Sequence, residues 1–262
     1  MMPLNGDDSS SLSMLQIAEA LAAVLGFAGY FLSWPYGREV GFLAVPAGLS
    51  LWAMRSGPIA RILASFSEVT QRQSIYADLR WESLYWLSVI VLGWLGARLA
   101  FQLKPHPKPP VIQALPEAKK ATPLYMILVL LISVILSQFF MKTFVQDVCV
   151  DHMLVVCQPP IRQLVFGITA AFAATAFIIE SLFHLTYVWS LPACGLIYII
   201  STITFTKTDI MTQLADNYPA VCLPHAVLSA LPIQIVAFGT IGAVIGYWLA
   251  VRYRYWRIHE VS

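Results

Sequence analysis

Charge is what this chain has least of. Asp, Glu, Lys and Arg make up 11% of its 262 residues, against roughly 25% in soluble domains. With 58% hydrophobic residues and a mean hydropathy of +0.71, the chain holds more apolar surface than a water-soluble fold of this length can bury, which excludes that class. A net charge of +2, without a basic stripe interleaved with exposed aromatics, excludes nucleic acid as a partner. Lys and Arg are missing from the stretch ahead of the first apolar run, "MMPLNGDDSSSLSML". A cleaved signal peptide needs a basic n-region, so that run is read as a retained first helix.

Recognisable catalytic and cofactor motifs are missing too. The chain contains no GxxxxGK[ST], no GxGxxG after a strand, no HExxH and no GxSxG, the motifs that cradle phosphates, bind zinc or expose a nucleophile. Four of the five histidines, His106, His152, His225 and His259, fall outside the apolar runs, which argues against a multi-haem or di-iron oxidase. No cofactor is implied.

What the chain does have is long apolar runs. A bilayer core about 30 Å thick needs roughly 20 apolar residues in helical form, and six runs qualify: 14–33, 83–103, 123–143, 162–183, 185–205 and 228–251. A seventh, 40–54, is short and carries Pro46. The expectation is an all-α integral membrane protein, one bundle of about seven transmembrane helices over residues 1–262, or six if 40–54 does not cross. The eight Trp, eleven Tyr and fourteen Phe suit the aromatic belts of membrane interfaces. Pro192 and Pro232 are expected to kink the last two spans near their starts.

Between the spans lie a Pro-rich linker at 104–123, with six prolines, and outer loops at 55–82, 144–161 and 206–227. Within 55–82, Ile59, Ile62, Leu63, Phe66 and Val69 recur at helical spacing, which describes a helix lying in the interface or a solvated connecting helix. With seven crossings, nine Lys and Arg (Arg38, Arg98, Lys104, Lys108, Lys119, Lys120, Arg252, Arg254, Arg257) fall on one side and the remaining seven on the other. Cys149, Cys157 and Cys222 all fall on the less basic side, and disulfides persist in oxidising compartments. The C-terminus is therefore expected in the cytoplasm, the N-terminus outside, and the protein in the plasma (inner) membrane.

Three groups of residues are candidates for chemistry. The first is "QDVCVDHMLVVCQPP" (146–160) with "YPAVCLPH" (218–225), which offers Asp147, Cys149, His152, Cys157, Cys222 and His225 as metal ligands. Zinc sites favour Cys pairs two to four residues apart, however, and Cys149 and Cys157 are eight apart. A disulfide between two of Cys149, Cys157 and Cys222 is the favoured expectation, with connectivity open and free thiols as the other outcome. Closing a loop this way stabilises by about 2–3 kcal/mol in the chain-entropy picture. Cys194, inside a span, is expected to pack as a small apolar side chain.

The second group is Glu180 and His184, the only carboxyl and imidazole groups between Gln163 and Phe205, four residues apart at a hairpin between spans. On a helix they share a face and could relay a proton or bind a cation, or simply sit in water at headgroup level. The third candidate is Glu19, early in the first span, read as an interfacial carboxylate that does not pair with Arg98.

The last span carries a packing signal and not a chemical one. Gly239, Gly242 and Gly246 include the small-xxx-small spacing that lets helix backbones approach, within the chain or with a membrane-protein partner through the last span. No stretch supports an inverted repeat. The functional expectations are a non-catalytic scaffold or accessory membrane subunit, then a transporter or permease component, then a membrane-embedded enzyme using Glu180 and His184 or the outer Cys and His cluster. The lipid bilayer is the partner common to all three.

Overall fold

The structure is a computed structural model that describes residues 8–34, 38–63, 65–66, 68–105, 122–145, 159–217 and 225–259. Among them there is no strand. The described residues form ten helices: α1 Asp8–Leu32, α2 Arg38–Phe42, α3 Ala44–Arg55, α4 Ile59–Leu63, α5 Val69–Leu103, α6 Pro123–Phe144, α7 Ile161–Phe183, α8 Leu191–Phe205, α9 Thr208–Asn217 and α10 Pro232–His259. A 3-10 turn, Tyr187–Trp189, precedes α8. The chain is thus all-α. Five segments are long and apolar enough to cross a membrane (α5, α6, α7, Tyr187–Phe205 and Pro232–Ile258), and α1 adds a shorter apolar stretch, Gln16–Leu32.

Residues 40–54 do more than their length promised. At one end of the bundle, Arg38 lies near the rings of Trp94 and Phe101 on α5, each 5.9 Å from its guanidinium carbon. At the other, the carbonyls of Ala53 and Gly57 accept hydrogen bonds from Gln234 Nε2 near the start of α10, at 3.2 and 3.1 Å. The α2–α3 segment therefore runs from one end to the other as a helix interrupted only at Leu43. That interruption is mild, because the Leu43 N–H still donates to the Glu39 and Val40 carbonyls. Pro46 is tolerated because it falls in the first turn of α3, where its missing N–H has no partner to lose.

The 55–82 segment departs from expectation. It is not one loop or one surface helix: α4 is five residues long, and from Val69 onward the chain belongs to α5, which continues without a break to Leu103. At 1.5 Å per residue, 35 residues extend about 52 Å, so the first turns of α5 project beyond a bilayer core of about 30 Å. Tyr76 and Leu79 in those turns are buried, as are Ile59 and Leu63 of α4, so the apolar spacing marks packing against the bundle. The 206–227 loop likewise contains α9. Residues 106–121 of the Pro-rich linker lie outside the described residues. Pro192 and Pro232 do not kink their helices: each stands in the opening turn of α8 or α10, where proline's fixed φ suits a helix start.

Two seams of glycine organise the packing. The most extensive interface joins the parallel helices α7 and α10, and the next joins the parallel helices α1 and α5. A Cβ built on Gly242 would collide with the Thr169 carbonyl, and one on Gly246 with the Ala173 carbonyl. Across the other seam, Gly26 abuts the Gly93 carbonyl and Gly96 the Ala23 carbonyl. Such contacts put backbone against backbone, the mode by which helices associate where lipid is as apolar as the side chains. Four buried hydroxyls are tied to their own helices: Ser133, Ser137, Thr175 and Thr202 each donate to a carbonyl four residues back, at 2.7–2.9 Å, so these four do not demand partners across the core.

The seam can be tested directly. Gly246→Val should destabilise by about 1–3 kcal/mol, the usual cost of overpacking. Gly48→Ala in α3, where nothing lies within 4 Å of an added Cβ, should be neutral or stabilise by up to ~1 kcal/mol through helix propensity. Thermal unfolding of the two variants in one detergent checks the contrast, and equal effects would contradict the seam.

Candidate functional site

Two ion pairs, Arg38 with Glu39 and Glu180 with Arg254, lie at one end of the bundle, where α1 and α2 meet and where α5, α7 and α10 finish. Glu180, in the last turn of α7, is 3% exposed, yet it is not alone. Nη2 of Arg254 on α10 lies 3.0 Å from Glu180 Oε1. The Arg254 Nη1 lies 2.8 Å from His184 Nδ1. The same Nδ1 lies 3.1 Å from the Glu180 carbonyl oxygen. Arg254 thus stands between the two residues that the sequence singled out, and both are brought to it by the parallel pairing of α7 with α10.

The local fold explains how His184 reaches this place. The helix α7 ends at Phe183, and His184 adopts the left-handed conformation, φ 55° and ψ 38°, with its N–H donating to the Glu180 carbonyl at 2.9 Å. Left-handed backbone is uncommon outside glycine, although His adopts it more readily than most. Glu180 and His184 therefore adjoin through a helix cap, and not through one helical face as the spacing implied. The Tyr125 hydroxyl donates to the Phe183 carbonyl at 3.3 Å and closes the neighbouring hairpin.

The polar layer continues from Arg254 across the bundle. The rings of Tyr247 and Tyr187 are 5.5 Å apart, and the Tyr187 ring stacks on Phe42 of α2 at 5.9 Å. Next come Arg38 and Glu39, 3.8 Å apart, and Trp94, whose ring lies 5.2 Å from the Arg98 guanidinium carbon. None of Arg38, Trp94, Tyr187, Tyr247 and Arg254 was marked as a site residue by the sequence. The only signal was the basic "RYRYWR" end of the last span, which reads equally well as a cytoplasmic tail.

At the opposite end, His225 is the single member of the metal-ligand set that the structure describes. Asp147, Cys149, His152, Cys157 and Cys222 lie outside the described residues, and with them both the disulfide and the metal reading of that cluster. Among the described residues no group of three or more His, Cys, Asp and Glu could hold a metal ion. The His225 ring packs on Phe205 with centroids 4.1 Å apart, and Gln138 Nε2 lies 3.4 Å from His225 Nε2. Burial first, and the Lys142 charge second, lower its pKa to about 4. Cys194 is buried and free, packed against Gly239, as expected of a small apolar side chain.

Two further acids have side-chain partners. Glu19 Oε1 accepts from the Ser88 hydroxyl at 2.6 Å, away from Arg98, and Glu82 Oε1 accepts from Trp86 Nε1 at 2.9 Å. The Gly239, Gly242 and Gly246 set faces inward, toward Phe172, Cys194 and α7 of the same chain. No family model, no curated protein and no solved structure matches the chain; its chemistry is read from its own geometry.

Two outcomes follow. Glu180→Gln should destabilise by about 1–3 kcal/mol, because half-buried Arg254 loses its charged partner, whereas Glu180→Leu with Arg254→Met should recover much of that loss; additive losses in a thermal-unfolding cycle would contradict the pairing. For His225, a folded pKa below the ordinary 6.5 means that the unfolded chain binds the extra proton first. Its contribution to stability is therefore full above about pH 6.5 and is lost as pH falls toward 4. The midpoint temperature measured across that window should fall for the native chain and fall less for His225→Gln.

Proposed function

We propose that this chain is an integral membrane protein that serves as a non-catalytic scaffold or accessory subunit, with the Glu180 end in the cytoplasm. The observation that carries the reading is the way the interior is closed. Backbone meets backbone along the seams at Gly242 and Gly246 and at Gly26 and Gly96. Gln234, 1% exposed, spends its amide on three partners: its Oε1 accepts from the Leu231 N–H at 3.0 Å, and its Nε2 serves the Ala53 and Gly57 carbonyls. Polar groups used this way hold helices together and are not free for a moving solute. Arg254 engages Glu180 and His184 at once, which supports a lock more than a proton relay.

The outward faces of the helices carry the apolar surface. On α6, Leu124, Ile127, Leu131, Ile135 and Phe139 are each more than half exposed, which suits contact with acyl chains or with another membrane protein. Crosslinking of the tagged full-length chain in native membranes, followed by mass spectrometry, should recover a defined membrane-protein neighbour crosslinked at stoichiometric yield. Substrate-dependent flux by the purified chain alone in liposomes would overturn the scaffold reading in favour of transport. A stoichiometric bound cofactor would favour an enzyme.

A further inference from the structure

The Glu180 end holds donors that the chain itself does not satisfy. Arg38 Nε, Trp94 Nε1 and the Tyr187 hydroxyl are all buried, and none has a hydrogen-bond partner among the described residues. They come from three elements, α2, α5 and the 3-10 turn, and they converge. The Arg38 guanidinium carbon lies 5.9 Å from the Trp94 ring. The Trp94 indole N–H adjoins the Tyr187 hydroxyl, whose own proton has no acceptor among the described residues, and the charges of Arg38 and Glu39 bear on that hydroxyl. Tyr187 is 2% exposed. Buried polar atoms are paired in more than about 90% of cases, and leaving one unpaired costs about 1–3 kcal/mol. Three adjacent orphans on different elements describe a place for an acceptor.

The character of the groups defines the acceptor. Arg Nε and Trp Nε1 only donate, and a tyrosine hydroxyl can donate as well. Arg38 and Arg98 flank Trp94, against the one carboxylate of Glu39, which touches Arg38 only through Nη2 at 3.8 Å. The balance is one positive charge. Arg38 keeps 26% of its side chain exposed, so the cluster opens outward. The rim has the make-up of a headgroup layer: exposed Trp34, with Lys104 Nζ 4.2 Å from its ring centroid, and exposed Tyr253 and Trp256. A compact anion with several acceptor oxygens satisfies all of this, and phosphate is the one found at that depth.

We propose that Arg38, Trp94 and Tyr187 form a phosphate-binding site at the Glu180 end, occupied by the headgroup phosphate of an anionic phospholipid or by free phosphate. Arg38 supplies charge and a forked donor, as guanidinium does for phosphate elsewhere, while the indole and the phenol supply fixed single donors. The lipid arm rests on the membrane placement above, which fractionation of the expressed chain tests separately; the free-phosphate arm needs no bilayer.

The test uses the full-length chain in a neutral sugar detergent, titrated with phosphatidylglycerol in mixed micelles or with inorganic phosphate at constant ionic strength. Binding is read by native mass spectrometry and by the shift in Tm. Phosphatidylglycerol binding that excess phosphate does not displace identifies the lipid, and binding of phosphate alone identifies the free anion; either supports the site. Losing one hydrogen bond to a charged group should weaken binding on the order of tenfold in Tyr187→Phe, and Arg38→Gln should weaken it further. Tyr187→Phe removes one oxygen that has no partner in the unliganded chain, so it keeps the assay informative if Arg38→Gln does not fold. Arg162→Gln, an exposed cation at the start of α7 at the other end of the bundle, should leave binding unchanged. No binding in either arm, or an equal loss in Arg162→Gln, overturns the proposal.

Discussion

Everything at the Glu180 end depends on how closely α7 and α10 approach. In lipid, apolar side chains gain little by leaving acyl chains for one another, so two helices hold a fixed register only where their surfaces interlock. Gly242 and Gly246 provide that interlock by admitting the backbone of α7 at Thr169 and Ala173. Two turns further on, the same register puts Phe177 beside Tyr253, with ring centroids 5.9 Å apart, and Glu180 beside Arg254. A slip of one turn, about 5.4 Å, would carry Arg254 away from Glu180 and leave both charges exposed to apolar surroundings. The ion pair thus reports the register that the glycines set, and penalises every other register.

The same division of labour appears on the opposite side of the bundle. The glycines of α1 and α5 bring those helices together, and Tyr30 fixes the pair by donating to the Lys104 carbonyl. The crossing by α2 and α3 is wedged beside them, with Gly41 against the backbone of Tyr30 and Val45 against Gly93. A segment this short ends before its last carbonyls are satisfied within the helix. Gln234 completes it from α10, which explains why a polar side chain sits in an otherwise apolar stretch with 1% exposure. In hydrocarbon an unpaired backbone carbonyl is a heavier penalty than a buried amide.

What the sequence made legible follows from which physical signals are local. Apolar run length is local, so the all-α architecture and the apolar helices at α1, α5, α6, α7, α8 and α10 could be read directly. Helix boundaries were harder. Val69 to Glu82 looked like a separate surface element because its polar residues dilute the hydropathy, although Tyr76 and Leu79 already face the core. Pro192 and Pro232 were misread as kinks because nothing in a run of apolar residues shows where the helix begins. The site divided in the same way: Glu180 and His184 stood out as rare polar residues in an apolar context, whereas Arg254, Arg38 and Tyr187 sit among other basic and aromatic residues at span ends. Their roles come from contacts between residues more than fifty positions apart, which no spacing rule reaches.

The two ends of the bundle solve the same problem with different chemistry. At the His225 end two neutral side chains are drawn into the bundle beside the Lys142 charge: an imidazole stacked on Phe205 and held by Gln138, and an amide at Gln234. Neutral donors and acceptors can be buried completely once paired, because little solvation is lost beyond the hydrogen bonds that replace it. At the Glu180 end the groups are charged, and a buried charge pair must recover a much larger desolvation cost. That cost is tolerable only near water, and Arg254 retains 14% of its side-chain exposure while Glu180 keeps 4%, so the arginine links the buried carboxylate to the interface. The asymmetry gives the bundle a chemical direction along its axis, independent of which compartment each end faces.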